Sequence, residues 1–344
     1  MKKRSIIWFT IVYGLLLACF TAYLVCDTFF IEHIEAVIPV PVPVKAESST
    51  ETSHQTAASV IPIYDPSESR TADESDEESE SVSSVLDFSK MTFYGDYQII
   101  GEYIDDSICV QIRQYREYDS DIYVAEISVA DPLQLKTAMA KDAYGKNLHE
   151  ETSSIAGRVN ALLAINGDYY SARDSGFVIR NGVLYRSSVG QSTSGDGLAI
   201  MNDGSFRLYA EKNGKAEELL ADGAMQAFSF GPSLLSGGEI IIETSTEIKK
   251  SNRAAHNPRT AICYLGDCHY AFVVVDGRTD ASKGVTLYDL SVFLQKLGCQ
   301  EAYNLDGGGS STLYFQGNVV NKPSYTGNVI EERKVSDIVY VEAQ

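Results

Sequence analysis

The stretch Tyr303-Asn304-Leu305-Asp306-Gly307-Gly308-Gly309-Ser310-Ser311-Thr312 puts a carboxylate, three consecutive glycines and three hydroxyls into one turn. Asp306 is expected where a buried strand ends, with Asn304, two residues earlier, on the same face. Gly307, Gly308 and Gly309 remove side chains, so backbone N–H groups can approach a ligand and form an anion-binding nest. Ser310, Ser311 and Thr312 add donors. The set suits a ligand that carries both phosphate and hydroxyls. The plain alternative is a flexible turn with an N-cap aspartate. A Walker loop is not indicated, because no Gly-Lys-[Ser/Thr] follows. Asn166-Gly167-Asp168 echoes the pattern, since it too follows an apolar run and precedes a hairpin. The echo is either a duplicated unit with a site shared between halves or two similar strand-to-turn signals.

The elements that must position these residues read as strand-rich. "ICVQIRQYR" and "IYVAEISVA", separated by the acidic turn "EYDSD", predict a hairpin. Asn181–Gly182 within "GFVIRNGVLYR" and Asp203–Gly204 within "GLAIMNDGSFRLY" mark two more. Residues 259–278 give another pair of strands. Apolar Ile155, Val159, Leu162 and Leu163 at helical spacing predict a helix over 152–166. Thr286, with Asp289 three residues on, caps a second helix that Gly298 closes. Strands and helices do not alternate regularly, so the expected fold is α+β: a strand-rich mixed-sheet domain with a few helices, in which the two Asn-x-Asp turns raise an internal duplication.

Residues 5–26 carry no charge and are long enough for a ~30 Å hydrocarbon core. Lys2, Lys3 and Arg4 precede them and acids follow, which puts the N-terminus (1–4) inside and the rest outside. A cleaved signal peptide is the rival, but its apolar region would be shorter and no Ala-x-Ala site follows. The domain organisation expected is a cytoplasmic tail at 1–4, a transmembrane helix at 5–26, a disordered acidic stalk at 27–90 and a catalytic domain at 91–344. Eight acids against Arg70 over 65–80 leave almost nothing to bury there. The formal net charge of −19 argues against nucleic acid as a partner. Six cysteines include no Cys-x-x-Cys pair or Cys/His cluster, so no zinc site is indicated. Cys263 and Cys268 flank a turn and are either a cross-strand disulfide or two separate thiols.

Five segments in order, "AINGDYY", "FSFGPSLL", "HNPRTAI", "VVVDGR" and "GVTLYDLSVFLQKLGCQEAYNLDGGGSSTLY", make residues 130–344 resemble the phosphodiester glycosidase family. "NGDYY" has tyrosines where phenylalanines are expected. The resemblance implies hydrolysis of a sugar-1-phosphodiester, releasing the sugar and leaving a phosphomonoester. Such a site needs donors for phosphate and a carboxylate for an oxocarbenium-like sugar. Beside that resemblance, Arg259 fits a phosphate clamp or a surface or structural arginine, His256 a proton donor, a phosphate ligand or a plain loop residue, and Asp306 the nucleophile or the base for water. Asp168 is the second carboxylate. The family also implies that Asp276 and Arg278 lie near the site, although "VDGR" after a strand can simply be a turn, and the turn residues themselves make Asn166, Asn304, Gly307–Gly309, Ser310 and Ser311 the expected substrate lining. Tyr169 and Tyr170 could stack on a sugar or simply pack.

Two other functions compete. One is a non-catalytic cell-wall glycan-binding protein. The other is a phosphodiesterase that cuts the P–O bond with a divalent cation on Asp168, Asp276 and Asp306. No cofactor is otherwise implied. The expected substrate partner is a sugar phosphate or phosphoglycan of the cell envelope, with the chain held at the membrane and its domain outside.

Overall fold

The computed structural model describes residues 2–37, 86–92, 94–189, 195–242 and 255–343. Its largest sheet has eight strands, in the order Glu239–Ile240, Ser233–Ser236, Glu301–Asn304, Arg259–Gly266, His269–Val275, Ser120–Val129, Ile108–Glu117 and Tyr97–Ile104. A five-stranded sheet runs Asn318–Val319, Leu313–Phe315, Leu163–Asn166, Asp337–Val341 and Lys136–Met139. A second runs Phe206–Ala210, Asp196–Met201, Ala224–Phe228, Val178–Arg180 and Val183–Arg186. Among the described strands the pairings of these sheets are antiparallel. The fold is the expected strand-rich α+β class with few helices.

Alternation explains the layering. In His269–Val275, Phe272 and Val274 face a core shared with Leu163, Ile165, Leu313 and Val339 of the first five-stranded sheet. Ala271, Val273 and Val275 face a second core with Leu290, Phe293 and Leu294. Both faces of the strand are therefore covered, which is why its sequence is apolar throughout. The second core is closed by the helix Leu287–Lys296, whose capping box of Thr286 and Asp289 forms as predicted.

The hairpin turns also form as predicted, with Asn181 and Gly182 both at positive φ. The helix expected over 152–166 is shorter. It spans Thr152–Arg158, and Leu163–Asn166 is a central strand. Asn160 at φ 52° breaks the helix, and all four strand residues are buried between neighbours on both sides. Tertiary burial overrides the helical spacing of Leu162 and Leu163. No disulfide joins Cys263 and Cys268. Cys263 pairs across the ladder with Ala271 and packs beside Cys299, whereas Cys268 sits in the turn at φ 54° against the other core.

The helix Lys2–Phe29 is long and apolar enough to cross a membrane, and Leu15, Leu16 and Phe20 on it are exposed. The chain divides into two units, Met1–Ile38 with Leu86–Gln344, and Pro39–Val85. The second unit, with most of the expected stalk, lies outside the described residues. Within the stretch expected as stalk, His33–Val37 forms a strand antiparallel to Ala143–Lys146, and Leu86 packs with Met91 on Cys109.

Candidate functional site

The strand Glu301–Asn304 is held between Ser233–Ser236 and Arg259–Gly266, and it delivers Leu305 and Asp306 to its end. There it meets the end of Leu163–Asn166 from the other sheet. Asp306 N donates to Gly167 O at 3.2 Å, and Asn166 Nδ2 donates to Asp306 O at 2.6 Å. Asn166 Oδ1 accepts from Thr260 Oγ1 at 2.8 Å and from Thr312 N at 3.3 Å. Asn166 is thus a fully buried clasp between sheets. Asn304 has a similar place, donating to Gly231 O at 2.8 Å and remaining 3% exposed. Asn166 thus ties the turn to the second sheet, and Asn304 is buried at the strand end that precedes it.

The turn is shaped by what presses on it. A Cβ at Gly307 would lie 2.9 Å from Pro258 O, and one at Gly309 2.8 Å from the Tyr325 ring. Gly308 is at φ +65°, and a Cβ there would lie 2.9 Å from Arg278 Nη2. The glycines therefore admit neighbouring groups of this chain. The expected nest is not open at four of its N–H groups. Gly307 N bonds Asp306 Oδ1, Gly308 N bonds Pro258 O, Ser310 N bonds Gly307 O and Ser311 N bonds Gly308 O. Ser311 is also fully buried.

Cationic side chains supply what the nest does not. Asp306 Oδ2 accepts from Arg333 Nη2 and from Ser310 Oγ, both at 2.6 Å. Arg333 also reaches Ser310 Oγ at 2.9 Å and Gly307 O at 3.0 Å. On the other side, exposed Arg278 donates to Asn257 Oδ1 at 3.0 and 3.2 Å and to Tyr325 O at 3.2 Å. Arg259 is 9% exposed and donates to Val285 O and Ala255 O. Burial, and then the Arg278 charge, hold its guanidinium down to about 10, so it stays cationic at neutral pH. His256 is exposed, and its Nδ1 lies 3.0 Å from Gly284 O. A carbonyl can only accept, so His256 Nδ1 carries a proton and donates. Arg278 and Arg333 thus bring two guanidinium groups to a glycine turn that carries one carboxylate, Asp306.

The other two aspartates are committed elsewhere. Asp168, expected as the second catalytic carboxylate, is 3% exposed and accepts from Tyr170 N at 3.1 Å and Ser229 N at 3.2 Å. It also pairs with Arg180 at 3.1 Å, and Arg180 pairs with Asp337 at 2.7 Å. Asp276 accepts from Asn321 Nδ2 at 2.9 Å and from Lys322 N, and burial pushes its carboxyl up to about 6. Among the described residues no three His, Cys, Asp or Glu side chains converge, so Asp168, Asp276 and Asp306 do not form one ligand set here. Tyr170 is buried and Tyr169 is partly exposed.

Sequence reasoning missed Arg333, Asn257 and Tyr325. Arg333 lies in "EERK", 27 residues after Asp306, and no local pattern marks it. The backbone bond from Arg333 N to Gly309 O, at 3.0 Å, brings it to the turn.

The profile of a family described as phosphodiester glycosidase matches residues 159–342. Over 185 residues the chain is 31% identical to the SPbeta prophage-derived uncharacterized protein YomE of Bacillus subtilis, a match covering 53% of this chain and 28% of that protein. Over 84 residues it is 33% identical to N-acetylglucosamine-1-phosphodiester alpha-N-acetylglucosaminidase of Bos taurus, covering 24% of this chain and 16% of that protein. The chain thus spans under a third of the length of these curated relatives. Its fold is similar to the catalytic domain of the zebrafish enzyme of the same name, solved auto-inhibited by its pro-peptide. The TM-score is 0.57 at 22% identity, over 72% of this chain and 88% of that one.

Proposed function

The chain belongs to the phosphodiester glycosidase family, and on that premise we propose that its Asp306 centre hydrolyses a sugar-1-phosphodiester. The observation that carries the reading is a carboxylate fixed by Arg333, Ser310 and the Gly307 N–H beside the exposed guanidinium of Arg278. The bond from the anomeric carbon to the phosphate oxygen breaks, and its electron pair leaves on the phosphate. Water adds its oxygen to the anomeric carbon and loses a proton. The products are free sugar and a phosphomonoester.

The leaving phosphate is already a stable anion, so cationic donors do more here than a strong general acid. Arg278 and Arg333 take that role in guanidinium forks, and Arg259 adds positive charge behind them. His256, exposed three residues before Arg259, would in its protonated form bind a phosphate oxygen or give a proton to it. Asp306 acts on the sugar side, as nucleophile or as base for water. The helix Lys2–Phe29 is the anchor, with the domain on the outer face and an envelope glycan phosphodiester as substrate. The bovine relative's name makes N-acetylglucosamine the first sugar to offer.

The test is a panel of sugar-1-phosphodiesters incubated with the full chain in detergent. Free reducing sugar with phosphomonoester is expected from at least one member. Release of sugar-1-phosphate, or of nothing across the panel, contradicts the reading.

A further inference from the structure

We propose that residues 28–37 form a strap that holds the domain against the bilayer, so that the Asp306 centre takes sugar-1-phosphodiesters whose acceptor is an amphiphile embedded in that same membrane. The inference rests on the glycosidase reading for its substrate class and on the apolar helix crossing a membrane.

The domain grips the end of the helix. Asn147 Nδ2 donates to Thr28 O at 3.2 Å and to Ile31 O at 2.9 Å. Glu32 pairs with Lys141. Three residues after the helix, His33–Val37 enters the antiparallel ladder, with His33 opposite Lys146 and Val37 opposite Ala143. Three extended residues reach only about 10 Å. The sequence is cut for this contact. A Cβ at Gly145 would lie 1.7 Å from His33 O, so any other residue there would expel the strap. Ala36 packs against the cluster of Met139, Tyr144 and Tyr170. Residues 38–85 follow the strap in sequence, so they put no distance between it and the helix.

The surface around the strap suits a membrane interface. Phe30, Ile31 and Ile34 expose apolar side chains where the helix ends, at the depth where aromatic and apolar groups meet headgroups. Beside them opens a cleft of about 390 Å³ walled by Glu32, Lys141, Asn147, His149, Glu150 and Lys334. Two links run from it toward the Asp306 turn, whose backbone N–H bonds Gly167 O. Lys334 follows Arg333, which holds Asp306, and the His149 ring lies 6.4 Å from that of Tyr169 in the Asn166–Tyr170 turn. The cleft wall thus carries Glu32 of the strap and Lys334, the sequence neighbour of the arginine that holds Asp306. A substrate reaching both is one whose far end sits in the bilayer.

The experiment uses the full chain in lipid vesicles, with an insertion of about twenty Gly/Ser residues between Phe29 and Phe30. The insertion leaves the His33–Val37 ladder in place and adds a reach of about 25 Å. A dye is placed at Ser154→Cys, an exposed residue on the cleft, in a chain carrying Cys19→Ser, Cys26→Ser and Cys268→Ser. Headgroup-borne quencher should darken the parent strongly and the inserted chain several-fold less. Two substrates share one sugar-1-phosphate, one with a soluble alcohol acceptor and one with a long-chain acceptor in the vesicle. The insertion should lower kcat/KM on the vesicle-borne substrate by roughly tenfold or more, through lost effective concentration, and leave the soluble one unchanged. Equal quenching in both chains overturns the strap. Equal response of the two substrates overturns the membrane-borne acceptor. If the parent cuts neither substrate, the glycosidase reading and the substrate class fall together, while quenching still decides the strap.

Discussion

Asp168 and Asp306 close the same short pattern, each two residues after an asparagine and at the end of a strand, and each has an arginine on a carboxylate oxygen. Their surroundings separate them. The Arg180–Asp168 side chains are 2% and 3% exposed, and the remaining carboxylate bonds go to backbone N–H groups. The Arg333–Asp306 side chains are 34% and 11% exposed, beside a second exposed guanidinium. One pair is a buried tie-point with Asp337 that fixes the Asn166–Tyr170 turn. The other joins a nearly buried carboxylate to a part-exposed guanidinium, beside Arg278 at the surface. The same short pattern thus ends once in a buried ion-pair network and once in a part-exposed pair, and the second is the one proposed to act on substrate.

The largest effects should come from exchanging charge for amide at the two positions. Asp306→Asn should lower turnover on the order of 10³, while its urea midpoint shifts little, because a part-exposed pair is worth about 1 kcal/mol or less. Asp168→Asn should do the opposite. Breaking a buried pair costs about 3 kcal/mol or more, and its activity loss should track the unfolded fraction. A folded Asp168→Asn with collapsed turnover would make both aspartates chemical and end the comparison.

Arg333→Ala should cost roughly 10²–10³ in kcat, and Arg333→Lys should recover little of it, since an ammonium cannot hold Asp306 and Ser310 together as the fork does. Full recovery by lysine would reduce Arg333 to a point charge. Gly308→Ala should weaken substrate binding through a displaced Arg278 guanidinium and cost about 1–2 kcal/mol in stability from its left-handed φ. Steady-state KM and thermal unfolding read the two effects separately. An unchanged KM would remove Arg278 from the site.

The smallest effect concerns Asp276. Burial raises its folded value to about 6, above the ordinary value of 3.8. The folded state then binds a proton that the unfolded state has released, so this residue's contribution falls as pH rises from about 4 to 6. The slope is at most about 1.4 kcal/mol per pH unit. Asp276→Asn should flatten stability over that window, as chemical denaturation at several pH values would show. An unaltered slope would mean that the carboxyl stays ionised in the fold.

Much of the frame is legible in the sequence, because it depends on local chemistry. Asn181–Gly182 requires a tight hairpin, and Thr286 with Asp289 dictates a helix start. Asp306 before three glycines marks a crowded turn. What stays hidden depends on distant partners. Leu163–Asn166 carries helical spacing but is claimed by strands on both sides. Asp168 shows nothing of Arg180 and Asp337, and Arg333 carries no motif and reaches the turn through bonds to Gly309, Gly307, Ser310 and Asp306. The strap is hidden for the same reason, since its pairing needs Gly145, over a hundred residues away.

The central claim is that the open Asp306 centre breaks the bond at the anomeric carbon. Hydrolysis of a sugar-1-phosphodiester in ¹⁸O-water tests it most directly, with both products weighed by mass spectrometry. The account predicts label in the released sugar and none in the phosphomonoester. Label in the phosphate would place the cut at phosphorus and contradict it.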